Sequence, residues 1–223
     1  MIWHILESAT AVAREACHLI IATAHQAIAE RGCFRMVLAG GSTPCQTYQL
    51  LQQTQTDWQH WFIYYGDERC LPVNDRERNS VMATEAWLGH VAVKSEQIYP
   101  IPAELGAIEA SKRYAQIIST AMPFDLVLLG MGEDGHTASL FPDHSHTTTE
   151  LVHPVFNAPK PPPERVSLSV QALSQTRKLL FLVTGKSKQA PVLAWRKGEN
   201  LPVSQIICPH GEVLLDQDSG GLL

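Results

Sequence analysis

Positive charge is scarce in this chain. Its 223 residues carry 17 Lys and Arg against 22 Asp and Glu, a formal net charge of −5. That balance does not draw the whole surface to nucleic acid, so no nucleic-acid partner is expected. An anionic ligand would need a local cluster of cations working against the global sign. Cysteine is sparse as well. Cys17, Cys33, Cys45, Cys70 and Cys208 are odd in number and form no CxxC pair. This argues against a disulfide framework and for reduced thiols in a cytoplasmic protein. No apolar stretch reaches bilayer length, and Met1-Ile2-Trp3-His4 lacks the basic start and apolar run of a secretory signal. No membrane partner is expected. Several chemical signatures are missing too. There is no GxGxxG, HExxH or GxSxG. Gly185-Lys186-Ser187 ends like a phosphate-binding loop, but the glycine that should open that loop would fall at Leu180, inside a strand.

What is present is an ordinary globular balance, 45% hydrophobic and 17% charged. Length and composition predict one domain over residues 1–223. Val12, Ala16, Leu19, Ala24, Ala27 and Ile28 recur at helical spacing, and Gly32 then stops the helix. Short apolar runs at residues 36–39, 61–65, 124–129 and 179–183 read as buried strands, each closing on a glycine. Helical patterns lie near residues 80–88, 105–118 and 189–195. Residues 166–170 alternate strictly and predict a strand with one polar face. Strands and helices in alternation predict an α/β fold: a three-layer αβα, Rossmann-like, open and mostly parallel sheet with helices on both faces. Ligands of such sheets collect at the carboxyl ends of the strands. Four predicted strand ends carry glycine and polar residues, at 40–43, 66–69, 130–136 and 185–188, and one site built from all four is expected.

Each end has its own chemistry. Gly40, Gly41, Ser42 and Thr43, with Pro44 behind them, combine bare backbone with a helix start. Their amides suit a phosphate or an oxyanion; equally, Ser42 or Thr43 could merely cap the helix. Asp67 can orient a hydroxyl and Arg69 can grip a phosphate, while Glu68 fits a surface turn. In GMGEDGHTASLFP (residues 130–142), His136 follows a glycine-rich turn and starts what reads as a short helix. A neutral imidazole there can take a proton from water, with Asp134 fixing its tautomer; alternatively Asp134 is only a cap. His144, His146 and His153, with Asp143 and Glu150, invite a zinc site, but their spacing fits no zinc motif and a solvated loop reads better.

Taken together, LAGGSTP (38–44), GDERCLP (66–72), RNS (78–80), GMGEDGHTASLFP (130–142) and VTGKSK (183–188) resemble the 6-phosphogluconolactonase family, in the same order and across most of the chain. That superfamily also includes glucosamine-6-phosphate deaminase. The deaminases are expected to show DEY where this chain has Asp67-Glu68-Arg69, and GHIAFNEP at 135–142. Their ring-opening acid then falls at Phe141, which cannot transfer a proton. The resemblance implies hydrolysis of 6-phospho-D-glucono-1,5-lactone to 6-phosphogluconate in the oxidative pentose phosphate pathway, with no metal or organic cofactor. It implies that the partner is a small phosphorylated sugar lactone and that the protein is cytoplasmic, as a monomer or homodimer. It implies His136 as general base, Asp134 as its support and Asp67 as a substrate-orienting carboxylate. Arg69, Arg165 and Lys188 would gather at the phosphate near Gly40, Gly41, Ser42 and Thr43. Lys188 fits the family pattern better than Lys186. The rival readings are an amino-sugar phosphate isomerase-deaminase and a sugar-phosphate sensor without catalysis. The tail from Asp216 to Leu223 departs from a packed C-terminal element, and no role is assigned to it.

Overall fold

The computed structural model describes residues 1–144 and 149–221. In chain order the elements are β1 (Ile2–Leu6), α1 (Ala9–Arg31), β2 (Phe34–Leu38), α2 (Ser42–Leu51), β3 (Trp61–Tyr65), β4 (Asp67–Arg69), α3 (Asn79–Ala86), α4 (Ala107–Ser119), β5 (Phe124–Gly130), β6 (Val152–Val155), β7 (Arg165–Leu168), α5 (Val170–Ser174), β8 (Thr176–Val183), α6 (Gln189–Arg196), α7 (Pro202–Gln205), β9 (Gly211–Asp216) and α8 (Gln217–Gly220). Six strands form a sheet in the order β1-β9-β8-β5-β2-β3, every neighbouring pair parallel. Helices cover both faces, as the alternation of elements requires. A second sheet, β4-β7-β6, is antiparallel.

The apolar runs form strands because each residue can be buried on one face or the other. Six of the seven residues of β5 are buried, with helices above and below the sheet. α1 starts at Ser8, whose hydroxyl accepts from Ala11 N, and ends at Gly32 with φ 74°. Of the stripe that the spacing predicts, Val12, Ala16, Ala24 and Ala27 are fully buried, while Leu19 and Ile28 are half-buried and Ile20 fills the stripe beside them. The chain winds from β2 outward to β3 and then returns to β5 on the other side of β2. The strand order reverses there, which opens a crevice beyond the carboxyl ends of β2 and β5.

Four expectations need correction. β7 does have a polar face, formed by Arg165 and Ser167, but both residues are buried, so that face does not meet solvent. Val170 is not part of the strand; it starts α5, which Ser169 caps by accepting from Ala172 N. No short helix begins at His136. Residues 137–140 make a tight turn in which Leu140 N donates to Thr137 O at 2.9 Å. The C-terminal segment is packed rather than loose: Asp216 and Ser219 are 4% and 2% exposed, while residues 222 and 223 lie outside the described residues. The strands β1 and β9 carry no motif, and no sequence pattern announces them. No helix among the described residues is long and apolar enough to cross a membrane.

Candidate functional site

A cleft of about 360 Å³ opens at the strand ends. It is lined by Gly40, Gly41, Ser42 and Thr43 after β2, Asp67 and Arg69 on β4, Gly132, Glu133 and His136 after β5, Arg165 on β7, and Thr184 and Lys188 after β8. All four predicted strand ends therefore meet. Buried tyrosines tie down two of them. Tyr48 OH accepts from Ala39 N at 3.0 Å and donates to Ala39 O at 2.8 Å, fixing the exit of β2. Tyr114 OH accepts from Tyr65 N at 2.8 Å and fixes the exit of β3. Gly40 is then pressed against Asn79: a Cβ on it would stand 2.1 Å from Asn79 Oδ1. Gly41 is the N-cap of α2, and no side chain caps the first turn. The alternative in which Ser42 or Thr43 merely caps the helix is thus not formed. Thr43 Oγ1 instead pairs with Thr184 Oγ1 at 2.6 Å, clamping α2 to the end of β8. The first amides of α2, at the positive end of its dipole, stay available to an anion.

β4 sorts its three charges by strand alternation. Asp67 and Arg69 line the cleft, while Glu68 between them points the other way and is fully buried. It is not a surface-turn residue. Its carboxylate accepts from Arg69 N, Asn79 N and Ser80 N at 2.8–2.9 Å and so caps α3. Asn79 in turn donates to Asp67 Oδ1 at 3.1 Å, and buried Ser139 donates to Asp67 Oδ2 at 2.6 Å. Both carboxylate oxygens of Asp67 are held, which fixes its direction into the cleft. Arg69 donates to Glu77 O, and its buried Nε has no hydrogen-bond partner among the described residues.

His136 Nδ1 lies 2.5 Å from Asp134 Oδ1, and Asp134 Oδ1 also accepts from His136 N. An ionised carboxylate only accepts, so Nδ1 carries the proton and Nε2 is left as the basic nitrogen. Burial lowers the His136 pKa below its ordinary 6.5, even against the pull of Asp134. Burial pushes Asp134 up, but the hydrogen bond and charge of His136 outweigh it and leave the carboxyl below its ordinary range. The pair is therefore a neutral imidazole on a carboxylate at neutral pH. Asp134 itself does not line the cleft; it stands behind the ring. Fully buried Phe141 packs beside that ring, centroids 4.7 Å apart.

The cations are unequally placed. Lys188 lines the cleft and Lys186 is exposed outside it. Arg165 Nε and Nη2 donate to the carbonyls of Pro162, Lys160 and Pro161 at 2.9–3.0 Å, which folds the proline-rich loop over the cleft. Its Nη1 is the remaining pair of donors. That fold delivers Lys160, a cleft cation that no motif announces, because a lysine between prolines carries no periodic signal. Asn79 was visible only as the middle of the RNS motif, and Ser139 and Glu133 only as unassigned letters of the longest one. Of the histidines weighed for zinc, His146 lies outside the described residues. Among the described residues no three His, Cys, Asp or Glu side chains gather as a metal site.

A profile of the family described as glucosamine-6-phosphate isomerases/6-phosphogluconolactonase matches residues 7–215. The chain belongs to this family. A 6-phosphogluconolactonase of Synechocystis sp. is 34% identical over 209 residues, covering 87% of each chain. The crystal structure of a 6-phosphogluconolactonase from Thermotoga maritima superposes with a TM-score of 0.90 at 26% identity, covering 96% of this chain and 98% of that one. A monomeric glucosamine-6-phosphate deaminase superposes nearly as well, with a TM-score of 0.89 at 21% identity and full coverage of both chains. The family is one of enzymes acting on sugar phosphates. Its fold is common to lactonase and deaminase, so the choice between them falls to individual side chains.

Proposed function

We propose that this family member hydrolyses 6-phospho-D-glucono-1,5-lactone to 6-phosphogluconate, the second step of the oxidative pentose phosphate pathway. One observation carries the reading: neutral His136, backed by Asp134, faces the cleft with apolar Phe141 beside it. A deaminase needs an acid at position 141 to open its amino sugar, and phenylalanine supplies no proton. A lactone needs only water, a base and a home for the developing oxyanion.

His136 Nε2 takes a proton as water adds to the lactone carbonyl carbon. A tetrahedral oxyanion forms and collapses, breaking the bond to the ring oxygen. The imidazolium returns its proton to that oxygen, leaving an open-chain carboxylic acid that releases its own proton to solvent and becomes the carboxylate. Asp134 holds the ring and steadies the imidazolium, and Asp67 orients a substrate hydroxyl. Arg69, Arg165, Lys188 and Lys160 hold the phosphate together with the α2 amides. A positioned general base contributes roughly 10²–10⁴-fold.

The test is a rapid pH-stat assay on freshly generated phosphogluconolactone, with spontaneous hydrolysis subtracted. His136→Ala is expected to lose at least about 10²-fold in kcat while keeping its fold. Full activity in that variant sinks the proposed base. Ammonia release from glucosamine 6-phosphate would instead establish the deaminase reading.

A further inference from the structure

Glu133 joins two lysines across the mouth of the cleft. Its Oε1 lies 2.5 Å from Lys160 Nζ and its Oε2 lies 3.7 Å from Lys188 Nζ. The three side chains come from three separate segments: the turn after β5, the proline-rich loop folded by Arg165, and the turn after β8. All three line the cleft. The hydrogen bond from Lys160, before any other cause, holds the Glu133 carboxyl down at about 2, so it is ionised throughout the working range. Burial lowers the pKa of Lys188, which favours any partner that compensates its charge. Lys188 is mostly shielded, with a side chain 19% exposed, whereas Glu133 at 54% is free to swing away.

We infer that Glu133 is a resident competitor for the phosphate subsite, a carboxylate that an incoming phosphate displaces from Lys160 and Lys188 and that returns when the ligand leaves. This rests on the reading that the cleft takes a phosphorylated ligand at these lysines. A phosphate dianion brings more charge and more acceptor oxygens than a carboxylate, so it wins the lysines while bound. The displaced carboxylate stays close and repels it. The cleft therefore binds phosphate less tightly than two lysines, two arginines and a helix N-terminus would on their own. Substrate and product of the proposed reaction both carry the phosphate, so a tempered hold on that group speeds release of the product. The role is one of setting affinity, since Glu133 takes no part in bond making or breaking.

Calorimetric titration of the full chain with inorganic phosphate at low ionic strength tests this. Glu133→Gln removes the charge and keeps the shape. Its Kd for phosphate is expected to fall about tenfold, the effect of one charge acting on a dianion some 6 Å away in a water-like dielectric. Inhibition by 6-phosphogluconate should strengthen in parallel. The gain should shrink as salt is raised, which a packing effect would not do. Glu133→Ala should act in the same direction. An unchanged or raised Kd in both variants, with Lys188→Gln still weakening phosphate binding, overturns the inference and leaves the phosphate subsite standing. If Lys188→Gln binds phosphate as the wild type does, the subsite reading fails and the inference fails with it.

Discussion

Gly132 has no room for a side chain. A Cβ there would stand 2.0 Å from His136 Nδ1 and 2.6 Å from Asp134 Oδ1. The backbone must therefore pass directly under the imidazole–carboxylate pair, and only glycine allows that approach. Gly132→Ala should push His136 off Asp134 and lower kcat by about 10²-fold, close to the loss expected for His136→Ala. Its circular dichroism should stay unchanged, since the rest of the turn lies outside the sheet. A variant with full kcat would show that the pair is not needed. Position 141 makes a second residue-scale point. The letter F in GHTASLFP already argued against a ring-opening acid, and the contact with His136 gives the reason for the residue itself. It is an apolar wall that helps desolvate the ring and keeps it neutral. His136, Asp134, Asp67 and Arg69 are legible as letters because each sits in a dense polar motif that a glycine opens at a strand end. Lys160 was not, because what brings it to the cleft is three hydrogen bonds from Arg165, a residue outside its own motif.

At the scale of elements, the strand ends are held by parts of the chain that carry no motif. Asp216, at the end of β9, accepts from Gly185 N with both carboxylate oxygens at 3.0 Å, and one of them also accepts from Ser219 N at 2.9 Å. This anchors the turn that carries Lys188. Asp216→Ala leaves the buried Ser219 N–H and the half-buried Gly185 N–H without this partner, and an unpaired buried donor costs about 1–3 kcal/mol. The melting temperature should drop, and KM should rise more than kcat falls, because the lysine turn serves binding. Asp216→Asn, which keeps an acceptor oxygen, should recover most of both losses; a KM unmoved in either variant would refute the anchoring role. β4 shows the same dependence. Only Glu68 of DER reads as a surface-turn charge, yet pairing with β7 makes the three residues a strand, and alternation then turns Glu68 into the core. No pattern three residues long announces a partner strand nearly a hundred positions away.

Across the whole molecule, the parallel sheet brings four loops to one edge, and the acid dependence of activity follows from what they assemble. The His136 pKa lies below its ordinary 6.5 in the folded protein, because burial disfavours the imidazolium. The neutral base therefore persists above that lowered value and is lost as pH falls through it. The acid limb of kcat/KM should lie below pH 6.5 and be absent in His136→Ala. An acid limb above that value would mean that the ring is more solvated than this packing allows. The stability contribution has the same sign. A histidine whose folded pKa is depressed is neutral above its unfolded pKa and favours the folded state there. That advantage disappears as pH falls through the folded pKa. The sequence by itself determined the parallel α/β sheet, since buried apolar runs alternating with amphipathic helices have few other ways to be covered. It also determined that four glycine-ended strands would share a site, because parallel strands put all their carboxyl ends on one edge. Only the tertiary structure decided which charges face that edge. Whether Glu68 is buried, whether Lys188 rather than Lys186 lines the cleft, and whether Lys160 and Glu133 meet all depend on pairing between distant strands and on hydrogen bonds between loops. Those contacts form only after the chain has closed on itself.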